Sequence, residues 1–124
     1  FSLVNESKSI DLKKLNGNFV LISFWASYDA ESRVKNAMLN NAASKMNNLQ
    51  IVSVSFDEYR SIFDETINND QLDKADCFIE LKGNSSNLFK SYELNKGFTN
   101  YLLDKNGNIV AKNIDSKQLF SLIN

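Results

Sequence analysis

The stretch Val20-Leu21-Ile22-Ser23-Phe24-Trp25, running into Ala26-Ser27-Tyr28-Asp29-Ala30-Glu31-Ser32-Arg33, decides the fold. Its first six residues are almost wholly apolar, β-branched or aromatic, which suits a strand buried on both faces. The next few turn polar, and from Ala30 onward the sequence reads as a helix. In α/β proteins, ligands collect at the carboxyl ends of such strands. A helix that starts there adds unpaired N–H groups and a partial positive charge. The stretch is a platform on which chemistry or binding can be built.

Upstream, Phe1 to Val4 reads as a short edge strand, followed by a polar turn from Asn5 to Ser9. Ile10, Leu12 and Leu15 form a brief apolar segment closed by Asn16-Gly17, a turn signal. Downstream, the spacing predicts a helix over Ala30 to Met46. Its core face is Val34, Met38, Ala42 and Met46, widened by Ala37 and Leu39. A second buried strand is predicted over Leu49 to Phe56. Strand, helix and strand in this order make a right-handed βαβ unit with parallel strands.

A second helix is expected over Tyr59 to Asn68, with Ile62, Phe63 and Ile67 inward. A short strand follows at Cys77 to Leu81 and a short helix at Ser86 to Tyr92. Tyr101 to Leu103 and Ile109 to Ala111 flank Asp104-Lys105-Asn106-Gly107, a strong hairpin signal. A final helix, Ser116 to Ile123, opens on a capping Asp or Ser and buries Leu119, Phe120 and Ile123. The expected fold class is α/β, with a central mixed sheet and helices on both faces.

The chain has 124 residues, of which 43% are hydrophobic and 23% charged, as expected for one ordinary globular domain. The net charge of −1 with interspersed signs leaves no footprint for nucleic acid or an anionic membrane. No apolar run approaches a bilayer span. The chain begins at Phe1 without a Met, which reads as a trimmed precursor whose upstream residues are missing. It contains no His and no Pro, and a single Cys. This composition excludes imidazole bases, His-containing triads, His metal ligands and intrachain disulfides. No cofactor and no metal is expected.

Phe24-Trp25-Ala26-Ser27 at the end of a strand, with a helix entered at Asp29, resembles the thioredoxin-like superfamily. The nearest branch is the TlpA/ResA type of thiol–disulfide oxidoreductase, grouped with AhpC/TSA-like domains. The signature of that branch runs Phe-Trp-Ala-Ser-Trp-Cys-x-x-Cys-Arg. Ser2-Leu3 and Leu12 to Gly17 resemble the family's entry segment, Val52 to Asp57 its second strand, and Tyr101 to Ala111 its terminal hairpin. The likeness covers nearly the whole chain and implies a single thioredoxin-like domain over residues 1–124.

The resemblance places Asp29 where the family has its attacking Cys and Ser32 where it has the resolving Cys. Disulfide exchange needs a thiolate and a second thiol, and these residues supply neither. Ser23 falls where relatives often keep a buried acidic group. Phe98, before Thr99, falls where they have a cis-Pro. A non-Pro cis bond costs about 2.5–4 kcal/mol, so Gly97–Phe98 is expected to be trans. The site is read as degenerate and without redox activity. Relatives are usually exported to the periplasm or tethered to the membrane, which implies a periplasmic or envelope location.

Asp29 has a structural role available as the helix N-cap, with Arg33 four residues on as an ion-pair partner. Its catalytic alternative is a general base assisted by Glu31 or Ser32. A carboxylate stabilised as the anion by a helix terminus is a poor base near neutrality. Trp25 and Tyr28 are candidates for an aromatic binding surface, Trp25 reading better as half-buried packing. Phe98 either completes that patch or fills the space of the lost Pro.

Cys77 is either a redox-active thiol or a small buried hydrophobe, and Asp76 beside it works against a reactive thiolate. Asp57-Glu58 and Asp73 to Asp76 lack calcium-loop spacing and read as solvated turns. The leading expectation is a binding or structural module. Its face, Trp25 to Ser32 and Phe98 to Asn100, would take a protein, peptide or small molecule. The alternatives are residual oxidoreductase or peroxidase activity through Cys77, and a structural domain of a longer envelope protein.

Overall fold

The computed structural model describes residues 2–5, 8–11 and 18–123. Strands β1 (Ser2–Asn5) and β2 (Lys8–Asp11) pair antiparallel as a separate two-stranded sheet. The predicted polar turn at Asn5 to Ser9 is thus partly strand. From residue 12 onward the predicted apolar segment and its Asn16-Gly17 turn lie outside the described residues.

The main sheet is built from β3 (Phe19–Trp25), β4 (Leu49–Ser55), β5 (Cys77–Ile79), β6 (Asn100–Leu103) and β7 (Ile109–Lys112), in the order β5-β4-β3-β6-β7. β3 is central. It pairs parallel with β4, Phe19 opposite Leu49 through Trp25 opposite Ser55, and antiparallel with β6, Val20 opposite Leu103 through Ser23 opposite Asn100. Being flanked on both edges and covered on both faces explains why its sequence is apolar nearly throughout.

Side chains alternate across the sheet. Val20, Ile22 and Phe24 join Val52, Val54, Phe56, Phe78 and Tyr101 on one face, with Leu88, Phe89, Tyr92 and Phe98 packed over them. These come from α3 (Asn87–Ser91) and the segment that follows it. On the other face Leu21 meets Leu39, Ala42 and Ala43 of α1 (Ala30–Ala43) and Leu119 of α4 (Ser116–Ile123). Beside them Trp25 packs with Cys77, Ile79, and Phe63 and Ile67 of α2 (Arg60–Asn69). The α/β class, the mixed sheet and the helices on both faces are as the sequence predicts.

The buried face of α1 is the predicted one only in part: Leu39 and Ala42 are buried and Met46, just past the helix, packs against the same cluster. Val34 and Met38 are 59% and 55% exposed, and Ser32, Asn36, Leu39, Ala42 and Ala43 turn inward. Small and amide side chains form this interface because they bond within it. The amide of Asn40 donates to the carbonyl oxygen of Asn36 at 2.8 Å and to Ser53 Oγ on β4 at 2.9 Å. In α2, Ile62 is likewise exposed and Thr66 takes its place in the core. Phe120 of α4 is at the surface while Leu119 is buried. The cap of α4 is a reciprocal box: Gln118 N donates to Asp115 Oδ1 at 2.8 Å, and Asp115 N donates to Gln118 Oε1 at 2.9 Å.

Candidate functional site

At the end of β3 the chain must leave the sheet and enter α1 within a few residues. Asp29 N donates to Ala26 O at 3.1 Å to close this turn. Asp29 is the N-cap, in extended conformation, and its carboxylate accepts from Ser32 N at 3.4 Å. Ser32 Oγ donates to Asp29 O at 3.1 Å and accepts from Ala26 N at 3.3 Å. Both side chains are therefore committed to the backbone of one loop. The predicted partnership of Arg33 with Asp29 does not form. Arg33 instead grips Asp70 at the end of α2 with two bonds, Nε–Oδ2 at 2.9 Å and Nη2–Oδ1 at 2.7 Å, because the planar guanidinium matches a carboxylate facing it squarely.

Trp25 is completely buried, so it forms part of the core and offers no aromatic surface; its indole N–H has no hydrogen-bond partner among the described residues. Tyr28 is 69% exposed and lies edge-on to Phe98, ring centroids 6.3 Å apart. Phe98 stacks on Phe56 at 5.8 Å and meets Phe89 edge-on at 6.1 Å. It thus touches Tyr28 and packs on the core. The Gly97–Phe98 peptide is trans, as are all described peptide bonds. Thr99 O accepts from Phe24 N at 3.0 Å, tying this loop to β3, while Thr99 Oγ1 is buried without a partner.

Asp57 is the residue the sequence misplaced. It is 3% exposed, where the Asp-Glu pair read as a solvated turn. Its carboxylate accepts from Ser27 N at 3.0 Å, Ser27 Oγ at 2.7 Å and Ser55 Oγ at 2.7 Å. Ser27 Oγ also lies 2.8 Å from Thr66 Oγ1, so β3, β4 and α2 meet in one buried polar cluster. The signal was present in Ser55-Phe56-Asp57. Residues two apart at a strand end face the same way, and a serine opposite the turn can satisfy an inward carboxylate.

Two cavities of about 430 Å³ each share this end of the sheet. The groove brings together Asp29, Ser32, Phe98 and Thr99, with Lys35, Lys96 and Lys112 along its sides. The second cavity, a cup, is lined by Ser27, Tyr28, Asp57, Glu58, Tyr59 and Glu65 among others. The Tyr28–Phe98 contact joins a wall of one to a wall of the other. Burial raises the Tyr28 phenol above its ordinary value, helped by the negative charges of Asp57, Glu58 and Asp29. The phenol stays neutral through the physiological range.

Cys77 lies away from these surfaces. It is fully buried beside Trp25 and Phe63. Burial, aided by Asp76 and Asp73, pushes its thiol up to about 12. The reactive form of cysteine is the thiolate, and this environment suppresses it.

No protein-family model and no curated protein matches the chain. Solved structures do. A thioredoxin-like protein from Parabacteroides distasonis is similar with a TM-score of 0.86 and 38% identity, over 94% of this chain and 90% of that one. A thiol-disulfide oxidoreductase from Bacteroides fragilis is similar at 27% identity and a TM-score of 0.78, over 99% and 96% of the two chains. StoA from Bacillus subtilis shares the fold at 16% identity, with a TM-score of 0.77 over 100% of this chain and 96% of that one.

Proposed function

The chain belongs to the thioredoxin-like thiol–disulfide oxidoreductase family, and from that premise we propose that it is a member without redox activity, acting as a binding or structural module. The observation that carries this reading is the state of the α1 terminus. Asp29 and Ser32 hold the positions that the resemblance gives to the two cysteines, and both side chains close the helix cap. A carboxylate and a hydroxyl cannot form or resolve a mixed disulfide.

The sole thiol, Cys77, is buried with a raised pKa, which counts against residual peroxidase or exchange activity through it. The binding face is the groove holding Asp29, Ser32, Phe98 and Thr99 together with exposed Tyr28. The family resemblance supports a periplasmic or envelope location. Among the described residues no helix is long and apolar enough to cross a membrane.

A disulfide-reductase assay tests the proposal, comparing the natural chain, Cys77→Ser and the double variant Asp29→Cys/Ser32→Cys. The expected result is a silent natural chain, an equally silent Cys77→Ser and a revived double variant. Turnover by the natural chain overturns the reading, and its loss in Cys77→Ser would assign that turnover to the thiol. For the binding face, Tyr28→Ala and Phe98→Ala are expected to weaken partner capture. Unchanged capture of every partner in both variants removes the groove from the proposal.

A further inference from the structure

Contiguous apolar surface left exposed in a concave place marks an interaction site, whereas single exposed side chains are ordinary. The cup beside the groove carries two aromatic side chains. Tyr28 and Tyr59 are each 69% exposed and line it with Ile62, itself 46% exposed. Of the charged groups lining the cup, Arg33 is taken up by two bonds to Asp70 and Asp57 by three hydrogen bonds from Ser27 and Ser55, which leaves Glu58 and Glu65. An aromatic wall with uncompensated carboxylates attracts an organic cation, since the ring face and the carboxylate both favour positive charge. A metal ion is a poorer match: among the described residues no three carboxylate or thiol side chains are grouped to hold one.

The cup is also fixed in shape. Its floor is the Ser27–Asp57–Thr66 cluster. The stem of Glu58 packs on Gly83, where a Cβ would stand 2.8 Å from Glu58 Cγ and where the backbone φ of +54° favours glycine. Tyr28 links the cup to Phe98 of the groove.

We propose that the cup receives an arginine side chain from a protein partner whose chain continues into the groove. Arginine fits better than lysine because its flat guanidinium can stack on a tyrosine while bonding a carboxylate at its edge. This deepens the binding-module reading and rests on it.

The test is a chemical-shift titration of the isotope-labelled full chain with an acetylated, amidated Gly-Arg-Gly peptide, and with Gly-Glu-Gly as its counterpart. The expected result is saturable, salt-sensitive binding of the arginine peptide, with the largest shifts at Tyr28, Tyr59 and Glu65. Tyr59→Ala/Glu65→Gln is expected to weaken it about tenfold, the combined effect of one cation–π contact and one screened charge. Both residues are exposed, and a thermal melt confirms that the variant folds. Equal response to both peptides, shifts confined to the lysine-bearing groove, or affinity unchanged in the variant would overturn the proposal. So would a self-associating chain that Tyr59→Ala disperses, because the occupant would then be a second copy. The reductase assay reads Asp29 and Ser32 and not Tyr59 or Glu65, so either reading can fail without the other.

Discussion

Raising the pH of the folded chain asks the Cys77 thiol to ionise where no water can reach it. The thiol is pushed from its ordinary 9.0 to about 12. Above pH 9 the unfolded chain gives up this proton and the folded chain keeps it. The folded state then binds more protons, so stability falls as pH rises. The contribution is fully present below 9 and is lost progressively between 9 and about 12. A shift of this size is worth about 4 kcal/mol, a large share of the roughly 5–15 kcal/mol that holds a domain together.

Urea unfolding of the natural chain and of Cys77→Ala, from about pH 8 to about pH 11, isolates this effect, because tyrosine ionisation is common to both. The stability difference between them is expected to be flat below pH 9 and then to move against the natural chain by up to about 1.4 kcal/mol per pH unit. The same burial predicts thiol labelling near pH 8 about a thousandfold slower than in the unfolded chain, from thiolate fraction alone. A flat difference through pH 11, with labelling near the unfolded rate, would show that the thiol ionises cheaply in the folded state. That result would reopen Cys77 as a redox centre.

Asp57→Ala leaves three donors without their acceptor in a buried place, and is expected to cost about 2–4 kcal/mol in urea unfolding; Asp57→Asn is expected to cost less, since its amide can bond the same hydroxyls. On α1, Leu39→Ala should lose about 2–5 kcal/mol, whereas Val34→Lys and Met38→Lys should stay within about 0.5 kcal/mol; the reverse ranking in thermal melts would restore the apolar face read from sequence. At the cap, Asp29→Ala is expected to cost about 1 kcal/mol and Asp29→Asn only a few tenths. Equal losses in those two variants would mean that the charge, not the cap bond, is what Asp29 supplies.

The parts of the fold that were legible are those where burial leaves a one-dimensional trace. β3 is apolar nearly throughout because both its faces are covered, β4 keeps an apolar centre at Ile51, Val52 and Val54, and Asn106-Gly107 announces the hairpin between β6 and β7. The helix α1 was legible in its start and in Leu39 and Ala42 of its core face, while it ends at Ala43 short of Met46 and turns Val34 and Met38 outward. Val34 and Met38 look like a core stripe, yet the sheet surface under α1 carries Ser53, and Asn40 bonds to it. An interface that includes serine and amide side chains is invisible to a count of apolar residues. The same blindness hid Asp57, whose donors Ser27 and Ser55 come from the loop after β3 and from β4. Arg33 was assigned to Asp29 by proximity in sequence, while Asp70, 37 residues away, presents the better carboxylate. At the site, Asp29, Ser32, Phe98 and Thr99 were identified together through a resemblance of motif order, and the groove holds all of them. Trp25 fell out because Phe63 and Ile67 of α2 cover its face of the sheet.

A helix that begins at the end of a central strand needs an acceptor for its first N–H groups, whatever chemistry the site performs. This requirement separates the platform from its reaction. A cysteine at the cap position would leave a thiolate to meet that positive end, and reactivity would follow from the same field. Asp29 meets it with a carboxylate, and Ser32 ties the loop shut from the other side. The shape of the terminus is thereby maintained without a nucleophile. Among the described residues, what has bonding to spare at this end of the molecule lies beside the cap: the exposed faces of Tyr28 and Tyr59, and the carboxylates of Glu58 and Glu65. Groups with saturated bonding hold structure, and groups with bonding to spare meet partners. By that division the cap of α1 is scaffold, and the recognition we propose would draw on the aromatic and acidic surface beside it.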